Sequence, residues 1–157
     1  MTVLALDIGD RRIGIAISDP TELLARPLSV LVRRSNLLDT ESINRLVVDN
    51  AIRTIVVGLP TTSDGQNGSQ VQKTKSFARH LRRATVVPIA FQDERYSTVD
   101  AMNVLVAQNV ARARRRVLLD AGAAAIILDE WLTAQRTRGV ASDSHSFDRE
   151  SRPIDGS

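Results

Sequence analysis

The sequence predicts a single α/β domain: one mixed sheet flanked by helices. Three observations carry that prediction. Val3-Leu4-Ala5-Leu6 and Thr54-Ile55-Val56-Val57-Gly58-Leu59 are apolar at successive positions, as in strands buried on both faces. Ile13 to Ser18 alternates isoleucine with small residues and follows the first run after a short connection, which predicts an antiparallel hairpin. Strand-like and helix-like patterns then alternate, the order that builds a sheet covered by helices. A chain of 157 residues fits one such domain with a substantial core.

Element by element, the first strand runs directly into Asp7, and Gly9 permits the turn that follows. The second strand presents Gly14, Ala16 and Ser18 on one face, so another element can approach closely there. Leu37 to about Ala51 reads as an amphipathic helix with Ile43, Leu46, Val47 and Asn50 on one side. The strand at Thr54 stops at Pro60, and a polar loop from Thr61 to Gly68 follows. A helix from about Ser69 to Arg83 places Val71, Thr74, Ala78 and Leu81 inward, and Lys73, His80 and Arg83 toward solvent. Val86 to Phe91 is the next strand, and Pro88 within it indicates an edge or irregular position. A short helix from about Thr98 to Gln108 has Ser97 and Asp100 spaced for N-terminal capping. The basic segment Ala111 to Arg116 reads as loop or helix end, and a strong helix runs from about Leu118 to Ala134. Beyond about Gln135 periodicity ceases, so the expected domain is 1–134 and the tail 135–157 is expected to be disordered.

Composition narrows the function. Apolar residues are 43% of the chain but aromatics only 3%, so Val, Ile, Leu and Ala must fill the core. The absence of cysteine excludes disulfides, thiolate catalysis and cysteine zinc sites. Twenty-one basic against eighteen acidic residues give +3, and the tail is balanced, so the excess belongs to the domain. That charge permits nucleic-acid binding without requiring it. Arginine outnumbers lysine nineteen to two, which suits bidentate phosphate contacts but also follows from the codon use of a GC-rich genome. No apolar run approaches the roughly 18 residues of a membrane span, and the N-terminus has no signal-peptide layout. A soluble cytoplasmic protein is expected.

Three places put an acid at the edge of an apolar element, where an unpaired carboxylate is costly unless a cation or hydrogen bonds compensate. Asp7 ends the first strand and shares the face of Val3 and Ala5; it reads either as a ligand-binding acid or as a turn-shaping loop aspartate. Asp93 and Glu94 follow the Val86–Phe91 strand; adjacent residues face opposite ways, and spacing alone does not choose between them. Asp120 falls on the same helical face as Ala124, Ile127, Leu128 and Trp131, whereas Asp129 falls opposite; helix capping is its other reading. Three converging carboxylates suit hard divalent cations, and two such ions can bind the attacking and leaving oxygens of a phosphodiester. Neither His80 nor His145 has a neighbour that suggests catalysis.

The run Ala5 to Asp19, with Leu6-Asp7-Ile8-Gly9 at its heart, resembles the opening of the bacterial YqgF (RuvX) family. That family is described as Holliday junction resolvases or nucleases that process the leader of precursor 16S ribosomal RNA. Val57-Gly58-Leu59-Pro60 with Asp64-Gly65, Gly68, Phe77-Ala78 and Leu81 resembles its second motif. Asp93-Glu94-Arg95-Tyr96-Ser97-Thr98 resembles its third, and Asp120 with Ala123-Ala124 and Ile127-Leu128 its last. The resemblance covers about residues 3 to 134; Asp10-Arg11 and Tyr96 depart mildly from the usual pattern, and neither touches the acids.

It implies an RNase H-like fold and a metal-dependent nuclease, with Asp7, Glu94 and Asp120 as catalytic acids holding Mg²⁺ or Mn²⁺. It thereby selects Glu94 over Asp93. Arg11, Arg12, Arg95, Arg112, Arg114, Arg115 and Arg116 are the candidate nucleic-acid contacts, with a solvated surface or ion pairs as the plainer reading. The expected partner is structured RNA or branched DNA, bound by a monomer or a homodimer. The leading activity is processing of the 5′ leader of precursor 16S rRNA. A Holliday junction resolvase and a non-catalytic RNA-binding assembly factor are the alternatives.

Overall fold

A computed structural model of the chain describes residues 1–60, 68–94 and 121–139. Among these residues five strands form one mixed sheet: β1 (Thr2–Ile8), β2 (Arg12–Ser18), β3 (Ala25–Val32), β4 (Ile52–Pro60) and β5 (Ile89–Glu94), in the order β3-β2-β1-β4-β5. β1, β2 and β3 are joined antiparallel, while β4 lies parallel to β1 and β5 parallel to β4. The predicted hairpin forms with Ile8 opposite Ile13. Its turn needs a glycine, because a Cβ on Gly9 would stand 2.7 Å from the Arg12 carbonyl oxygen.

β1 and β4 are central, as their continuous apolar runs require, and each strand sends alternate side chains to two cores. One core lies under α1 (Asn36–Asp49) and α2 (Gly68–Ala84). It gathers Leu4, Leu6, Ile13, Ile15 and Val57 with Ile43, Val47, Phe77 and Leu81. The other lies under a helix spanning 121–139, here α3, and packs Val3, Ala5, Ala16 and Val56 against Ala124, Ile127, Leu128, Trp131 and Leu132. The small residue Ala16 on β2 belongs to this second core, consistent with the close approach expected from that face. Gly58 allows the same approach on β4: a Cβ there would fall 2.5 Å from Ile127 Cδ1.

Several boundaries depart from expectation. β3 has no counterpart in the sequence reading. It is a half-exposed edge strand containing Pro27 and is held by its register with β2. β5 begins at Ile89 rather than Val86; Pro88 precedes it, and its carbonyl accepts the Ile55 N–H. β5 does occupy the sheet edge that Pro88 indicated. Phe77, absent from the expected inner stripe of α2, is 2% exposed, while Val71 is only partly buried. α3 continues to residue 139, so 135–139, expected to begin the irregular tail, are helical. The expected helix from Thr98 to Gln108, the basic segment from Ala111 to Arg116 and the tail from residue 140 lie outside the described residues.

Candidate active site

Asp7 is the sixth residue of β1 and stands opposite Gly14 of β2. Its strand parity is that of Val3 and Ala5, so it belongs to the face covered by α3, and it is half-buried. On β4 the residue level with Asp7 is Gly58, one past the Leu6–Val57 pair, and Gly58 is paired in turn with Gln92 of β5. Glu94 is two residues further on and pairs with Pro60. Its parity is that of Ala90, which packs in the α3 core, whereas Asp93 shares the parity of Ile89 and Phe91 in the other core. The register therefore ranks Glu94 with Asp7 and Asp93 on the opposite face. Two inter-strand spacings separate β1 from β5, or about 10 Å across the sheet.

The course of α3 adds a third direction. Ile127 packs on Gly58, near the carboxyl end of β4, and Trp131 meets Arg53, near its start, with the guanidinium 5.8 Å from the ring centre. Arg136 reaches further, donating to the Leu23 carbonyl in the β2–β3 connection. α3 thus runs antiparallel to β4, and its first described residue, Ala121, lies toward the carboxyl ends of β1, β4 and β5. Asp120 itself is outside the described residues, as is the side chain of Glu94. Ligands of open α/β sheets lie at this edge of the parallel strands.

The turn after Asp7 is fixed from below. Arg33, just past β3, donates through Nη1 to the Gly9 carbonyl at 3.1 Å and through Nη2 to Asn36 Oδ1 at 2.9 Å. Its Nε lies 3.4 Å from Asp39 Oδ2, and its guanidinium stands 5.0 Å from the centre of the Phe77 ring. Asp39 is fully buried and also accepts the Arg34 N–H. From α2, Gln70 donates to the Ile8 carbonyl at 3.1 Å and Lys73 pairs with Asp10 at 3.3 Å. Sequence reasoning missed Arg33 and Asp39. The available signal was an acid placed four residues after a Ser35 cap, directly behind a basic pair.

Arg11 and Arg12 are exposed in this turn, and no ion pair among the described residues engages them. Arg95, Arg112, Arg114, Arg115 and Arg116 lie outside the described residues. Among the described residues no three metal-ligating side chains come together, and no helix is long and apolar enough to cross a membrane.

Comparison with known proteins gives a consistent picture. The family described as "RuvX: Holliday junction resolvase" matches residues 1–134. A protein of Thermoanaerobacter pseudethanolicus named "Putative pre-16S rRNA nuclease" is 38% identical over 139 residues, covering 88% of this chain and all of its own length. One of the same name from Roseiflexus is 42% identical over 136 residues, covering 85% of this chain and 95% of its own. Among solved structures, the fowlpox virus resolvase in complex with Holliday junction DNA aligns with a TM-score of 0.56 at 10% identity, over 86% of this chain and 99% of that one. RuvC of Thermus thermophilus aligns with a TM-score of 0.55 at 15% identity, over 87% of this chain and 97% of that one. These likenesses show the fold, which is RNase H-like.

Proposed function

The chain belongs to the RuvX family, and on that premise we propose that it is a divalent-metal-dependent nuclease acting on the 5′ leader of precursor 16S ribosomal RNA in the cytoplasm. The observation that carries this reading is the register. Asp7 and Glu94 share one face of the sheet at the carboxyl edge of parallel strands, and α3 directs its beginning toward that edge.

Asp7, Glu94 and Asp120 fit Mg²⁺ or Mn²⁺, since hard cations select carboxylate oxygens and an all-carboxylate set offers no softer donor. A divalent ion held by these carboxylates would supply charge neutralisation at the phosphate and activation of water. The chain's own residues do the placing. Asp7 is fixed on a central strand paired on both sides, and the turn behind it is held by Arg33 and Gln70. Arg11 and Arg12, exposed beside that edge, bind the phosphates flanking the scissile bond by bidentate contacts. Arg95 and the run Arg112, Arg114, Arg115 and Arg116 extend the grip along the backbone by charge.

The test offers purified protein a pre-16S leader RNA and a four-way DNA junction, each with Mg²⁺ or Mn²⁺. Asp7→Asn, Glu94→Gln and Asp120→Asn are expected to abolish product formation while circular dichroism and melting stay near wild type. Retained cleavage by Asp7→Asn overturns the assignment. Junction cleavage with intact RNA would favour the resolvase reading, for which the family description speaks.

A further inference from the structure

α2 carries Lys73, Lys75, Arg79, Arg82 and Arg83 and not one acidic residue. A helix stripe of this kind is ordinarily a solvated surface, but here part of it lines a groove. Between α1 and α2, a cleft of about 440 Å³ is bordered by Arg33, Gln72, Lys73, Ser76 and Arg79. A second cleft of about 520 Å³ continues between the same helices, bordered by His80 and Arg83 of α2 and by Asn44 and Glu41 of α1. Asn36 borders both, so the two clefts adjoin at the start of α1 and follow one another along α2. The α2 residues that line them, 72, 73, 76, 79, 80 and 83, recur at the three- and four-residue spacing of one helix face. Lys75 and Arg82 fall off that face, roughly 100° and 120° from its centre, and Lys75 stands about 160° around the helix from Lys73.

Charge and placement together select a ligand. Arg33 is balanced by buried Asp39, and Glu41 is the one acid at the rim among the described residues. Lys73 pairs with Asp10, but both are largely exposed, at 58% and 64%, so little is lost when that pair opens to another anion. Lys73, Arg79 and Arg83 then line up over ten residues of helix, about 15 Å. That length matches about four phosphate steps of one duplex strand. The upper end of the groove lies at the β1–β2 turn, where Lys73 reaches Asp10 and Arg33 holds Gly9, two residues from Asp7.

We propose that the α1–α2 groove is a second RNA-backbone site, which grips the strand flanking the cleaved bond after it crosses the carboxyl edge of the sheet. This rests on the nuclease reading for the identity of the RNA, and it extends the contact to the face opposite the acids. Serine, glutamine and asparagine among the cations suit phosphate and sugar oxygens, and the groove lacks exposed aromatics for base stacking, so it positions without reading sequence.

The experiment measures binding of a leader-derived RNA hairpin to the full chain in chelator, between roughly 0.05 and 0.2 M salt. Arg79→Gln/Arg83→Gln is compared with Arg26→Gln/Arg138→Gln, a pair of equal charge loss at exposed positions outside the groove. The groove pair is expected to weaken binding about tenfold more than the control pair. It should also flatten the log–log salt slope by about 1.4 to 1.8, at roughly 0.7 to 0.9 for each of the two phosphate contacts. Equal losses in the two variants, or no loss in either, overturn the site, as does wild-type protein that fails to bind.

The chain's two lysines supply an independent readout that needs no variant. RNA should protect Lys73 from amine acylation and leave Lys75 reactive; equal protection of both overturns the placement. Cleavage with Mg²⁺ is scored separately in wild type and Asp7→Asn. Groove-dependent binding without cleavage would defeat the nuclease reading alone, and cleavage with groove-independent binding would defeat this site alone.

Discussion

Gly58 shows how a single position serves both the core and the site. It lies on β4 level with Asp7, and its missing side chain is what lets Ile127 settle on the sheet. Gly58→Ala places a Cβ 2.5 Å from Ile127 Cδ1 and 3.3 Å from Cγ1, so the isoleucine must rotate or α3 must lift. The expected cost is about 1 to 3 kcal/mol by urea denaturation, as for overpacked cores generally. Ile127→Val removes the clashing methyl, so the double variant should be more stable than the two single losses added together. Additive losses would mean that the two side chains do not meet. At this scale the strand placement of one candidate acid was legible. Asp7 stood out because it ends a strand too apolar for the surface, and its parity with Val3 and Ala5 held. Glu94 and Asp93 were not separable, because alternation ranks neighbours only once a register is known, and the pairing of β5 with β4 supplies it. Asp39 was passed over for a different reason. An acid in the first turn of a helix looks like a surface residue favourable to the helix dipole, and only the fold brings Arg33 down on it.

Among the elements, the connections rather than the strands and helices hold the local surprises. Between β2 and β3, Asp19 Oδ1 accepts the N–H groups of Leu23 and Leu24, each at 2.9 Å, and Oδ2 accepts the Thr21 hydroxyl. The Leu24 N–H above all, then Thr21, holds this carboxyl down at about 2, against an ordinary 3.8. A folded-state pKa below the unfolded one stabilises the fold above the unfolded value and loses that effect as pH falls toward the folded value. The stability difference between wild type and Asp19→Ala should therefore be constant above about pH 5 and shrink between about pH 4 and 2. A difference that stays flat across that window would show that the loop does not depend on the ionised carboxylate. At the end of α1, Ala51 follows the cap Asn50 with φ of 50° in the left-handed region, where glycine is the usual residue. Its side chain is exposed, so Ala51→Gly removes strain and loses no packing; a gain of up to about 1 kcal/mol in thermal denaturation is expected. The same distinction explains the sequence reading. β1 and β4 declared themselves by unbroken apolar runs, and β2 by isoleucines alternating with small residues. β3, with Arg26, Pro27 and Ser29 interrupting its apolar residues, is a strand only because β2 offers it a partner. Val86 misled by its hydrophobicity, since it is fully exposed and β5 starts after Pro88.

At the scale of the molecule, two cores share one sheet. β1 and β4 each send alternate side chains to the α1–α2 layer and to α3, so neither layer can leave without exposing a fully apolar face of the same strands. That arrangement makes the domain one cooperative unit. The chain's single tryptophan reports on it: Trp131 is 8% exposed in the α3 core, against Arg53. Its fluorescence therefore reads the docking of α3, while far-UV circular dichroism reads all the elements together. In urea the two signals should fall along one curve. Leu128→Ala empties a fully buried position under α3 and is expected to cost about 2 to 5 kcal/mol. If the layers are coupled through β1 and β4, that loss moves both midpoints equally, although the substitution touches only one core. A fluorescence midpoint that moves alone would mean that α3 undocks as a separate step. In the proposed site, function is tied to the same docking, because Ala121, the chain neighbour of Asp120, is carried by α3, whereas Asp7 and Glu94 are carried by the sheet. Cleavage measured across the urea series should accordingly vanish with the Trp131 signal, in wild type and in Leu128→Ala alike. Activity persisting beyond α3 release would show that the sheet acids suffice without the third.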